Sequence, residues 1–164
     1  MLCRGRADMA RPVGRGGRDG NVRDFEQALG KRDALYVFGT DYPTPDGTGI
    51  RDYIHVEDLA TAHIDALNYL RNGGESTTLN AGYGHGYSVR EVLEAVEAAN
   101  GAPLNIVEEA RRAGDPPELV AAVERIHEVL GWQPKFDDLD TIVRTALAWE
   151  RKIAAGDSSA YWAA

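Results

Sequence analysis

Residues 34–60 read ALYVFGTDYPTPDGTGIRDYIHVEDLA, and three kinds of local physics follow one another within them. ALYVFG (34–39) is a β-favouring run closed by Gly39 and predicts a strand. TDYPTPDGTG is a loop, because each proline fixes φ and Asp46-Gly47 supplies a tight reversal. RDYIHV is expected to be extended. A helix then begins near Val56, with Glu57 and Asp58 in the first turn, where the helix dipole favours negative charge. Leu59, His63, Ala66, Leu67 and Leu70 recur at helical spacing and predict its buried stripe. Gly73-Gly74 ends it. A strand, an elaborate turn and an amphipathic helix in succession leave few architectures open.

The remainder continues the alternation. STTLNAG (76–82) predicts another strand. Ser88 and Glu91 form a capping box for a helix whose apolar face is Val89, Val92, Leu93 and Val96. LNIVEE (104–109) reads as a strand and ARRAGDPP (110–117) as a loop. A helix over Leu119–Leu130, carrying Leu119, Val123, Ile126 and Leu130, stops at Gly131. Asp138 is placed to cap a last helix with Leu139, Ile142, Val143, Ala146 and Ile153 on one side. Helices between strands define an α/β class. There is no internal repeat.

Composition excludes several functions. The chain has 164 residues, 43% of them hydrophobic and 27% charged, enough for one domain with a core and unlike a disordered or fibrous chain. The net charge of −8 argues against general nucleic-acid binding, which needs a basic face. No apolar run is long enough to suggest a membrane span. The opening residues have no apolar core of a secretory signal. One cysteine, Cys3, permits no internal disulfide and points to a reducing, cytoplasmic compartment. Residues 1–23 hold six arginines against Asp8 and Asp19, a net of +4, leaving −12 on the rest. With five glycines and almost no large apolar residue, this segment is expected to be a disordered tail. A basic arm touching phosphate is its functional alternative.

LNAGYGHGYS comes close to a dinucleotide fingerprint. Gly82, Gly84 and Gly86 follow a predicted strand and precede a helix, and Glu108 ends the next strand. The spacing fails, because Tyr87 stands where the third glycine belongs. Ser88 caps the helix and occupies the amides a phosphate would take. A tight turn before a capped helix is the preferred reading. The four histidines show no metal-ligand spacing, and Trp132 and Trp149 read as core or interface aromatics.

The stretch GTDYPTPDGTGIRDYIHVEDLA, followed in order by LNAGYGHGYSVREV, RRAGDPPELVA and LGWQP, resembles the UDP-glucose (UDP-galactose) 4-epimerases of the extended short-chain dehydrogenase/reductase family. The likeness covers residues 26–155 and several independent motifs. It implies the C-terminal part of a Rossmann-type, NAD(P)-binding α/β protein: a UDP-sugar-binding lobe plus the last sheet strand, with most of the parallel sheet missing. The organisation expected is a basic segment over 1–23, the substrate-binding domain over 24–155 and a tail over 156–164. Carried over by position, Arg51 and Arg112 would grip the diphosphate, as two guanidinium forks suit a dianion. Asp115 would accept from the ribose hydroxyls. Phe38, with Tyr36 and Val37 beside it, would meet the uracil through an aromatic face and backbone groups. Without the resemblance each has a plainer reading: Arg51 could pair with Asp46 or Asp52, Phe38 could be core, and Asp115 could be a turn residue.

The family's reaction is a reversible oxidation at the sugar 4-position in galactose metabolism, with NAD as hydride carrier and a Tyr-x-x-x-Lys pair as base. None of the seven tyrosines here has a lysine four places later, and the lysines are Lys31, Lys135 and Lys152. The resemblance therefore implies a chain that holds no NAD and does not epimerise alone, whereas full-length relatives are homodimers binding a UDP-sugar. The abrupt start of the match after ARPVGRGGRDGNVRDFEQ fits translation out of frame or a truncated gene. Leu119 stands where family members commonly carry a tyrosine near the substrate, which affects the choice of sugar. Two alternatives stay open: a noncatalytic UDP-sugar-binding module, and part of another nucleotide-sugar epimerase or dehydratase.

Overall fold

The computed structural model describes Phe25 and residues 27–156; the expectations for segment 1–23 and for the tail past Gly156 lie outside the described residues. In chain order the elements are β1 Leu35–Phe38, β2 Ile50–Arg51, α1 Val56–Arg71, β3 Tyr87–Ser88, α2 Val89–Asn100, β4 Ile106–Glu109, β5 Glu118–Leu119, α3 Glu124–Leu130 and α4 Leu139–Ala154. The α/β class expected from the sequence is the class observed.

β1 pairs in parallel with β4, from Leu35 opposite Ile106 to Phe38 opposite Glu109. Alternation along β1 sends Leu35 and Val37 into the core at 4% and 5% exposure and leaves Tyr36 outside at 53%. Those two residues pack on Val92, Leu93 and Val96 of α2 and on Val143 and Leu147 of α4. A second sheet has the order β3-β2-β5, with β2 antiparallel to β3 and parallel to β5. A smaller cluster of Ala62, Ile126 and Trp132 joins α1 to α3, with Leu79 and Ala81 packed against it.

The helix ends follow the caps read in the sequence. The Ser88 hydroxyl accepts from the Glu91 amide at 3.1 Å, and the Glu91 carboxylate accepts from the Ser88 amide at 2.6 Å. Asp138 accepts from the Thr141 amide at 2.8 Å and from its hydroxyl at 2.6 Å. Each cap satisfies helix donors that have no partner within the helix.

Three expectations are corrected. Residues 76–82 form no strand. A strand needs a neighbouring ladder, and no described strand runs beside this one. The helix expected over Leu119–Leu130 starts only at Glu124, because Leu119 is paired with Arg51 in β5. The buried residues of α1 are Asp58 and Ala62 rather than the Leu59–Leu70 stripe. His63 lies exposed, and so do Ile64, Leu67 and Leu70 at 56%, 53% and 52%. The packed face is the one turned towards α3, and no described element covers the other. Trp132 is core at 1% exposure, whereas Trp149 is 41% exposed.

An uncovered apolar helix face is an association hazard. The purified chain is expected to associate as its concentration rises, and Ile64→Glu with Leu67→Glu should shift it towards monomer at unchanged melting temperature. Light scattering across a dilution series checks this; a wild-type chain monomeric at all concentrations would contradict it.

Candidate functional site

The site grows from the exit of β1. Pleating turns Phe38 away from the core that holds Leu35 and Val37, so its ring is half-buried rather than core. The Arg112 guanidinium covers that ring, its Cζ 4.8 Å from the centroid, within the range of a cation–π contact. Nε and Nη2 of Arg112 both lie 2.9 Å from Oδ2 of Asp115. The Asp115 amide donates back to the Arg112 carbonyl at 3.3 Å, which closes the turn before Pro116. The Arg112 side chain remains 60% exposed, so the ion pair adds less than about 1 kcal/mol to stability. What it does is hold the guanidinium over an aromatic ring while much of the side chain stays exposed.

Arg51 sits on β2, in the second sheet. Its β2 neighbours are Tyr87 of β3 and Leu119 of β5. The Ile50 amide donates to the carbonyl of Pro117 at 2.8 Å, so β2 is stitched to the chain just beyond Asp115. The Arg51 guanidinium turns back over Gly49, with Nη1 donating to the Ile50 carbonyl at 2.7 Å. The structure thus joins Phe38, Arg112 and Asp115 directly and places Arg51 in the second sheet, on β2, whose neighbour β5 begins three residues after Asp115, with its head turned to its own backbone. Tyr36 is exposed, and the Val37 side chain is core, so Val37 has only backbone to offer a ligand.

The plainer reading of Arg51 is not what forms. Asp46 accepts from the Thr48 amide at 2.8 Å and its hydroxyl at 2.7 Å, and from the Ser88 hydroxyl. Burial pushes the Asp46 carboxyl up, but the Ser88 and Thr48 bonds, helped by Arg90, outweigh it and hold it below the usual carboxylate value. Asp52 accepts from the amides of Tyr83 at 2.9 Å, Gly84 at 3.1 Å and Ala121 at 3.2 Å. Both carboxylates are committed to backbone and hydroxyl donors, which leaves the Arg51 charge without either.

Asp52 also decides the glycine turn. A Cβ at Gly82 would lie 2.4 Å from Asp52 Oδ2 and 2.6 Å from Ala121 Cβ, and one at Gly86 would lie 2.5 Å from Ile50 Cγ2. These glycines admit the protein's own chain. The Tyr83 and Gly84 amides that a pyrophosphate would need already bind a carboxylate, so this turn does not fit the dinucleotide group. No cluster of His, Cys, Asp and Glu among the described residues could hold a metal ion.

Sequence reasoning assigned no role to Arg111 or Tyr83, and read Asp58 only as helix-start charge. Asp58 is 1% exposed and accepts from the amides of Lys135 at 2.9 Å and Phe136 at 2.8 Å, and from the Tyr83 hydroxyl at 2.7 Å. Burial raises its carboxyl, yet these donors prevail and hold it below the ordinary value. Burial, together with the Asp58 carboxylate, pushes the Tyr83 phenol up. His55 is buried, its Nδ1 accepting from the Glu57 amide at 3.1 Å while Nε2 meets the Thr145 hydroxyl at 2.9 Å. No signal short of the fold would have found the Asp58 partners, which lie 77 and 78 positions away for the two amides.

Comparison with known proteins places this fold beside Rossmann-type α/β proteins of the epimerase class, some of them solved with NAD. Residues 14–82 match the NAD dependent epimerase/dehydratase family model. A UDP-glucose 4-epimerase from Azospirillum brasilense is 58% identical over 125 residues, which are 76% of this chain and 36% of that protein. The solved UDP-Glc/GlcNAc 4-epimerase of Campylobacter jejuni superposes with a TM-score of 0.76 at 44% identity, covering 85% of this chain and 43% of that one. The UDP-glucose 4-epimerase of Bifidobacterium longum, solved in complex with NAD+ and UDP, gives 0.75 at 35% identity, covering 84% and 41%. Over most of its own length the chain is similar to UDP-glucose 4-epimerases, and its residues 14–82 carry the epimerase/dehydratase model. It spans well under half the length of these relatives. No described helix is long and apolar enough to cross a membrane.

Proposed function

We propose that this chain supplies the UDP-sugar-binding side of a UDP-glucose 4-epimerase, the NAD-dependent interconversion of UDP-galactose and UDP-glucose in galactose metabolism. The observation that carries the reading is the Phe38–Arg112–Asp115 unit, in which an exposed guanidinium lies over an aromatic ring and pairs with a carboxylate. These offer one group each for base, diphosphate and sugar. Arg51 on β2 is the second diphosphate ligand. To reach it, its guanidinium gives up the bond to the Ile50 carbonyl and exchanges a neutral acceptor for a charged one. The backbone of residues 36–38 meets the uracil.

The role of these residues is to bind and orient. Hydride transfer and the tyrosine base belong to parts of the whole enzyme that this chain does not provide, and the cytoplasm and a homodimeric assembly are the setting expected for that enzyme. Titrating the folded chain with UDP in a calorimeter should show one site, and UDP-galactose with added NAD should show no conversion to UDP-glucose. A folded chain that takes up no UDP overturns the binding role, and turnover at whole-enzyme rates overturns the division of labour.

A further inference from the structure

The two adjacent arginines after β4 each lie on an aromatic ring. Arg111 Cζ is 4.3 Å from the Tyr42 centroid, and Arg112 Cζ is 4.8 Å from that of Phe38. The two rings flank Gly39 within one five-residue run. Gly39 has φ +85°, and a Cβ there would lie 2.5 Å from Tyr42 Cε2 and 2.8 Å from Arg111 Cγ, so only glycine lets the first stack close. Tyr42 is 7% exposed, and its buried hydroxyl has no hydrogen-bond partner among the described residues. The ring is therefore kept for its face. Arg111 is fixed from the other side by Asp41, with Nε donating to Oδ1 at 2.5 Å and Nη2 donating to the Asp41 carbonyl.

An exposed ion pair of this kind contributes little to folding, and Asp41 is 77% exposed. Its effect is geometric. It ties the loop carrying Arg112 to the loop that follows Phe38, one residue from Arg112 on one side and three residues from Phe38 on the other. We infer that Asp41, Tyr42 and Arg111 form a positioning clamp that holds Arg112 over Phe38, so that Arg111 sets the affinity for a nucleoside diphosphate by acting through Arg112. The inference rests on the UDP-binding reading above. The Arg111 bond holds the Asp41 carboxyl below its usual value, so the clamp persists throughout the neutral range.

The test is UDP calorimetry on the full chain carrying Arg111→Gln, Asp41→Asn, both together, and Arg111→Gln in an Arg112→Ala background, with melting temperature measured alongside. Each single change should weaken UDP binding about tenfold, as expected for a displaced ligand group. The double change should weaken it no further, and Arg111→Gln should do nothing more once Arg112 is gone. Melting temperatures should stay together, which a merely structural role would not produce. Wild-type binding with no loss in Arg111→Gln overturns the clamp, as does an equal loss in the Arg112→Ala background, which would make Arg111 a direct ligand. A wild-type chain that binds no UDP defeats the functional reading instead.

Discussion

Replacing Asp58 by asparagine should cost about 3 kcal/mol of stability, the scale for removing a charged acceptor from several buried donors. For a domain of this size that is a fall of about 10 °C in melting temperature. The carboxylate is 1% exposed and serves two amides and a phenol at once. An asparagine side chain has one carbonyl oxygen in place of two acceptors, and its amino group would face a donor. Tyr83→Phe should cost less, and the two changes together should fall short of their sum, since both break the same bond. The pH dependence follows from the direction of the shift. The folded carboxyl lies below the unfolded value of 3.8, so its stabilisation is complete above that value and is lost as pH falls through the folded pKa. Asp58→Asn should therefore be destabilised most at neutral pH and should approach the wild type in strong acid. Thermal melts across the acid range check both points; a change of less than about 2 °C at neutral pH would refute the assignment.

The second large effect concerns the ligand. Arg51→Ala and Arg112→Ala should each weaken UDP binding about a hundredfold, as expected when a guanidinium–diphosphate contact of about 2 to 3 kcal/mol is removed. Lysine at either position restores charge without the fork and should recover only part of that loss. Uridine, which lacks the diphosphate, separates this from general damage to the site. Its binding should survive the Arg51 change, whereas Phe38→Leu should weaken uridine and UDP alike. Equal loss of uridine and UDP in Arg51→Ala would mean that Arg51 supports the fold and does not hold phosphate. The arrangement makes the test sharp, because Asp46 and Asp52 have other donors. Removing the Arg51 side chain therefore strands neither carboxylate.

How far these conclusions were legible beforehand depended on distance along the chain. The capping box at Ser88 spans three residues, and so does the Asp138 cap. Their side chains meet the backbone that they accompany, and spacing suffices to find them. The same holds for β1, whose alternation places Leu35 and Val37 inside, and for the glycine turn, where wrong spacing already spoke against a phosphate loop. The motif order pointed to Phe38, Arg112 and Asp115 together, although spacing alone could not bring Phe38 to a residue 74 positions later.

Periodicity failed where the chain had to choose a neighbour. The apolar stripe of α1 has real helical spacing, yet Asp58 and Ala62 are the residues it buries. A repeat shows that a face is apolar and says nothing about what covers it. STTLNAG has strand-forming residues and no ladder to join, and Leu119 left the expected helix to pair with β2. Elements held by contacts a few residues long, the α/β class and the residues that carry the family resemblance could all be read from the linear order of side chains. Which carboxylates are committed to backbone donors, and so leave Arg51 without them, depended on the packed chain. Asp52 finds its donors 31 and 69 positions away, and Asp58 one of its own 77 positions away. Such bonds form only after the core has brought distant backbone together.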